Sequence, residues 1–302
     1  NPLRLKDWQH FAVFGPDFLF TFVVFNAHYL NNTFCYFVDR MTGAMSEHHR
    51  EGLPFRAKLA QNLWNDGCSY RSPGYNIEIQ NRLQSNRHFA QVDIAAKGSI
   101  PALGADLEMV ADIEKHQPLI VVLKAGENRP VYSHKMACPV KGKINVGGRE
   151  IILDERKNLV LIDVHKAYYP YFMKWTWASG AGFNEQGEVV GFNLTHNVLP
   201  DDETNNENAL WVGNKLSMFG AARFKLDESD TLKPWSVATT DGRCRIDFKA
   251  EGKRSGKINA GLISSDYHQP YGSFNGTAVD DDGVTHIIKD FFGVTELHKA
   301  RF

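Results

Sequence analysis

The residues best equipped for chemistry lie between Asp163 and Trp211. The stretch opens D-V-H-K at Asp163, runs through W-T-W-A-S-G-A-G from Trp175 and G-E-V-V-G-F-N-L-T-H-N from Gly187, and closes on N-E-N-A-L-W from Asn206. A carboxyl group among aromatic rings must be neutral or paired, because desolvating its charge is costly. A group poised in that way can exchange a proton with a substrate and needs no cofactor to do so. Glu207 is the candidate acid or base, Asn193 its orienting amide, and Asp163 or His165 the second titratable group. Trp175, Trp177 and Trp211 are candidate substrate-binding residues, since an indole face stabilises a developing carbocation. The plainer alternatives are a satisfied buried pair for Glu207 and Asn193, and loop hydrogen bonds for Asp163 and His165.

These side chains need strands to position them. Lys174 to Gly182 reads as one strand and Glu188 to His196 as its return, with Asn184-Glu185-Gln186-Gly187 as the turn and Gly187 at its positive-φ position. Side chains alternate across a strand. Trp175, Trp177 and Ser179 therefore share a face, as do Val189, Gly191, Asn193 and Thr195. Glu207, Ala209 and Trp211 line up the same way on the next predicted strand, so Glu207 faces the interior if Trp211 does.

The rest of the chain repeats this hairpin grammar. Turn signals stand at Pro73-Gly74, Val212-Gly213-Asn214-Lys215, Asp241-Gly242, Asn275-Gly276 and Asp281-Asp282-Gly283, between short alternating or apolar runs. Around Asp241-Gly242, Cys244, Ile246 and Phe248 share one face, which leaves Asp247 on a solvated one. The last strands are predicted at Val284 to Ile288 and Phe291 to Leu297. Helical patterns are few: Arg50 to Asn65, interrupted by Pro54, and Leu159 to Tyr169. Short strands with frequent turns predict an all-β protein of sandwich or barrel type with little helix. The glycine-rich junction from Val140 to Gly148 is the expected divide, giving β domains at 1–145 and 146–302.

Composition narrows the function classes. The chain has 302 residues, 43% hydrophobic and 23% charged, with a formal net charge of -1. That balance offers no electrostatic footing for nucleic acid or an anionic membrane. The longest apolar run, Phe18 to Phe25, is too short to cross a bilayer as a helix. Cys35, Cys68, Cys138 and Cys244 are widely spaced and read as free thiols of a reducing, cytoplasmic compartment. The acceptor-like triplets at Asn31, Asn193 and Asn275 then read as chance matches. The chain opens at Asn1-Pro2 without Met, which leaves an upstream segment, including a removed signal, open. No dinucleotide, P-loop or nucleophile-elbow pattern is present, so no cofactor is expected. His48-His49 with Glu47 and Glu51 lacks metal-site spacing, and adjacent histidines on a strand point apart, so no metal is expected either.

The motifs W-T-W-A-S-G-A-G, G-E-V-V-G-F-N-L-T and N-E-N-A-L-W resemble the bacterial domain of unknown function 2804 family. H-K-M-A-C-P-V-K-G from His134, the D-G-R after Thr240 and G-V-T-E from Gly293 share the resemblance, which covers the whole chain and is most specific from Trp175 to Trp211. That family is similar in turn to lipocalin-like two-domain proteins, including carotenoid 1,2-hydratases and some cyclases. The resemblance implies two lipocalin-like antiparallel β-barrel or sandwich units packed together, with an apolar cavity; no catalytic residue of the hydratases is carried over. Three functions follow as expectations: binding of an apolar lipid- or isoprenoid-like small molecule with hydratase, isomerase or cyclase chemistry; a lipid-binding or transport module without turnover; or a carbohydrate-active protein using Trp stacking and paired carboxylates. Oligomeric state is not encoded in any of these patterns.

Overall fold

The computed structural model describes residues 2–197 and 199–301. Among the described residues strands take up 66% and helix 3%, the latter as 3-10 turns at Pro2–Arg4, Pro54–Arg56 and Leu83–Ser85. The strands are β1 (Leu5–Gly15), β2 (Phe18–Asn26), β3 (Asn31–Asp39), β4 (Ala44–Gly52), β5 (Ala57–Lys58), β6 (Gly67–Ser72), β7 (Tyr75–Arg82), β8 (Arg87–Ile94), β9 (Leu103–Met109), β10 (Leu119–Lys124) and β11 (Pro130–Val146). Then come β12 (Arg149–Leu153), β13 (Leu159–Tyr168), β14 (Phe172–Phe183), β15 (Val189–Asn197), β16 (Ala209–Val212), β17 (Lys215–Met218), β18 (Ala222–Lys225), β19 (Trp235–Thr239), β20 (Cys244–Ala260), β21 (Ile263–Val279) and β22 (Thr285–Arg301).

They form two curled antiparallel sheets of half-barrel shape. The first has the order β4-β3-β2-β1-β13-β11-β9-β8-β7-β6-β5, with β10 and β12 also paired to β11. The second has the order β17-β16-β15-β14-β22-β21-β20-β19-β18. The chain divides into two compact units, Asn1–Pro118 with His134–Lys166, and Leu119–Ser133 with Ala167–Phe302. The stretch from Val140 to Gly148 forms the β11–β12 hairpin, with Val146 opposite Arg149.

Each unit has an apolar core on one sheet face. In the first, Phe11, Phe20, Phe22, Cys138 and Ile162 belong to it. Their alternates Ala12, Leu19, Tyr36 and Leu161 are buried too, on the other face. In the second unit Ala178, Phe192, Leu194, Leu210 and Phe274 form the core, and the alternates Trp177, Ser179, Asn193 and Trp211 are equally buried. All four cysteines are buried and free.

Three local expectations are corrected. Leu159 to Tyr169 is strand β13, not helix. Both its faces are buried, so its apolar residues run together and imitate a helical pattern. Arg50 to Asn65 holds only the 3-10 turn at Pro54. Asn275-Gly276 is not a turn but lies within β21 opposite a bulge, where pairing to β22 slips between Phe274 and Gly276. The extra residue is on β22: Asp290, at φ 53°, exchanges hydrogen bonds with the Asn275 side chain. This is why the two predicted terminal strands are one. Among the described residues no helix is long and apolar enough to cross a membrane.

Candidate functional site

The hairpin of β14 and β15 forms where alternation and turn chemistry predict it. Gly187 closes the turn at φ 77°, donating its N–H to Asn184 O at 3.0 Å. The register sets Trp177 opposite Thr195 and Ser179 opposite Asn193, then Asn193 opposite Ala209 and Gly191 opposite Trp211. The predicted shared faces are therefore real. The interior they were expected to face is not the apolar core: Ala178 and Leu210 point there, and the tryptophans occupy the second buried face.

Glu207 lies two residues before β16, not within a strand as predicted. The run of asparagines explains why. Asn206 Nδ2 donates to Asp202 O and Glu203 O, both at 3.0 Å, and Asn206 Oδ1 accepts from Asn208 N at 2.9 Å. Asn208 Oδ1 in turn accepts from Thr195 N at 2.6 Å, a ladder bond supplied by a side chain. Amide side chains thus compete with sheet pairing and delay the strand. Glu207 is only 3% exposed, and its Oε1 accepts from Thr195 Oγ1 at 2.8 Å. Asn193 orients the Glu207 backbone: its Nδ2 donates to Glu207 O at 2.6 Å, while its Oδ1 accepts from Trp177 Nε1 at 2.6 Å. Trp211 Nε1 is buried with no hydrogen-bond partner among the described residues. The same face carries a second acid, Glu296, opposite Trp177 on β22. Glu296 accepts from Trp175 Nε1 at 2.5 Å and from Gln269 Nε2 at 3.4 Å.

Asp163 and His165 belong to the first unit, on β13 and on the sheet face opposite its apolar core. Asp163 Oδ1 accepts from Lys135 Nζ at 2.5 Å and lies 3.2 Å from His165 Nε2. Its Oδ2 accepts from Trp8 Nε1 at 3.0 Å, and Trp8 stacks on the His165 ring with centroids 4.5 Å apart. Burial pushes the Asp163 carboxyl up, but the Lys135 ammonium and His165 outweigh it and hold the group well below the ordinary carboxylate range. Asp163 is thus a fixed negative charge that orients His165, rather than a loop cap.

Sequence reasoning singled out Asp163, His165, Glu207, Asn193 and the three tryptophans, and missed Lys135, Glu296 and Trp8. Lys135 and Glu296 stand in two motifs that carry the family resemblance, H-K-M-A-C and G-V-T-E, and that was the available signal. Trp8 had none. The adjacent histidines do point apart on β4, His48 buried and His49 exposed, and His48 Nε2 meets Pro101 O at 2.8 Å. Among the described residues no group of three or more His, Cys, Asp or Glu is arranged to hold a metal ion.

Two curled antiparallel sheets, each with a second buried face bearing titratable groups, define a two-unit protein of lipocalin-like fold. The chain belongs to the family described as Domain of unknown function (DUF2804), whose model matches residues 1–302. No curated protein sequence matches it significantly. Among solved structures it is similar to kievitone hydratase from Nectria haematococca, with a TM-score of 0.58 and 8% identity over 98% of this chain and 88% of that one. It is also similar to CghA with Sch210972, with a TM-score of 0.60 and 9% identity over 99% of this chain and 88% of that one. At such identities the likeness is one of fold.

Proposed function

We propose that this protein binds a small, largely apolar molecule of lipid or isoprenoid character and performs acid–base chemistry on it, of hydratase, isomerase or cyclase type. One observation carries this: in both units the sheet face away from the apolar core buries titratable groups in fixed hydrogen-bond networks, Asp163 with Lys135 and His165 in the first, Glu207 and Glu296 in the second. Desolvating charge is costly and is characteristic of sites that move protons. The fold of a hydratase and of a protein crystallised with a small molecule supports the same reading.

In a hydration, an acid gives its proton to one alkene carbon as the π pair forms the new C–H bond. Water oxygen then bonds to the carbocation and loses a proton to a base. Glu207, held through Thr195, is the proposed acid or base, and the His165–Asp163 pair is the second proton-transfer group. Trp175 and Trp177 offer indole faces to the cationic intermediate. Burial of Trp177 and Trp211 disfavours the sugar-stacking alternative, which needs an open platform.

The test is a mass-spectrometric screen of isoprenoid and phenolic alkenes in heavy water, scored for gain of water or carbon-bound deuterium, together with native mass spectrometry of the purified protein. Turnover is expected in wild type and should fall roughly a hundredfold or more in Glu207→Gln, with ligand binding retained. Bound ligand without turnover would assign a binding module instead, and neither binding nor turnover would overturn the proposal.

A further inference from the structure

At one end of the second unit's sheet, charge of one sign accumulates. Across four neighbouring strands Lys257 faces Asp266, Asp266 faces Lys299, and Lys299 faces Lys174. One row further, Arg301 faces Ser264 on one side and Phe172 on the other. Directly opposed like charges destabilise a strand pair. Lys174 and Lys299 are tolerated because Glu228 bridges them, at 2.6 Å and 2.8 Å. Asp266 lies 3.8 Å from Lys257 and 3.1 Å from His268 Nε2. Arg301 donates from Nε to Ser264 Oγ at 2.8 Å and has no acidic partner among the described residues. Four cations, Lys174, Lys257, Lys299 and Arg301, thus meet two carboxylates, Asp266 and Glu228, leaving two positive charges unmatched.

These groups surround a groove of about 700 Å³ whose wall also includes the Phe172 ring, Asn259 and Ser264, with the backbone of Met173, Ile258 and Ala300 as its floor, since their side chains turn to the other face. The volume is that of a small-molecule site. Phe172 stands 67% exposed beside the cations, a large ring in water that an apolar partner would cover. An unneutralised guanidinium next to apolar wall suits a ligand with a carboxylate or phosphate head and a hydrocarbon body.

We propose that this groove binds a monomeric amphipathic organic anion, its head against Arg301, Lys299 and Lys257 and its body over Phe172 and the aliphatic stems of Lys174 and Lys299. The groove shares no residue with the network around Glu207, and the proposal stands independently of the chemistry assigned there.

Decanoate is a suitable probe, with decanol and decyltrimethylammonium as controls of equal chain length, all titrated calorimetrically below their micelle concentrations. Decanoate should bind, more weakly as sodium chloride is raised, and the two controls should not. Arg301→Gln and Lys257→Gln should each weaken decanoate roughly tenfold, the loss of one charge-assisted contact. Phe172→Ser should also weaken it while leaving the salt dependence intact. Thermal melts matching wild type would verify that these surface variants are folded. Decanol or decyltrimethylammonium binding as tightly as decanoate would overturn the proposal, as would decanoate affinity unchanged in both charge variants. Co-sedimentation with phosphatidylglycerol vesicles in the absence of decanoate binding would also overturn it, and would assign the face to a lipid surface.

Discussion

Burying the Asp163 carboxylate is expensive, and the groups that touch its two oxygens are placed to offset that cost. Lys135 and His165 meet one oxygen and Trp8 the other. Such a pair is a poor source of net stability but a severe liability when halved. Lys135→Met should therefore destabilise the fold by about 3–5 kcal/mol, because it strands a buried charge. Lys135→Met combined with Asp163→Leu should recover most of that loss, a coupling that the double-mutant cycle isolates. Urea midpoints at constant m would measure both; a double variant no better than the single one would mean that Asp163 is not carried by Lys135. The Glu207 network differs in kind. Thr195 and, through the backbone, Asn193 hold Glu207 with neutral groups, which orient it by hydrogen bonding.

At the scale of elements, the S-G-A-G of β14 is a packing device. Gly180 and Gly293 sit opposite each other on β14 and β22. A Cβ on Gly180 would come within 2.9 Å of a Phe274 ring carbon, and one on Gly293 within 2.1 Å of the Ser179 carbonyl oxygen. Rings can tilt, whereas a ladder carbonyl cannot move without breaking sheet pairing. Gly180→Ala should cost about 1–3 kcal/mol as an overpacked site, and Gly293→Ala should cost more. Chemical denaturation of the two variants side by side checks the order. Equal costs would mean that the β14–β22 pair has slack that the register does not show.

For the whole molecule, the buried histidines set the pH response. Burial lowers His88 to about 3 and His134 to about 4, and both are 1% exposed. An unfolded histidine titrates near 6.5. Between those values the unfolded chain binds protons that the native one refuses, so stability falls as pH falls. The two together should remove up to about 3 kcal/mol per pH unit below roughly pH 6. Asp163 has the carboxylate sign. Its folded pKa is depressed, so its contribution is intact above about pH 4 and is lost as pH falls further. Urea midpoints should thus drop between pH 7.5 and pH 5, and less so in a His88→Gln variant. A midpoint flat across that interval would show that the histidines are not held neutral.

Period-two alternation and glycine-marked turns made the strands of the second half legible. The shared faces of β14 and of β15 followed from the side-chain period of two on either side of one turn at Asn184 to Gly187. The outward Asp247, 245–249 alternation around β20 followed for the same reason. Family-like motifs pointed to the two-unit lipocalin-like fold. Alternation sorts residues into two faces, but it names the inward face only when the other is wet. Here both faces of β13, β14 and β15 are buried, so the same pattern disguised β13 as a helix. It also left open that the tryptophans turn away from the apolar core. The charge network was equally out of reach: Lys135 is 28 residues from Asp163 and Trp8 is 155. Local propensity carries no information about partners that distant in the chain; sheet order does, since β1, β13 and β11 become neighbours only when the first sheet closes in that sequence.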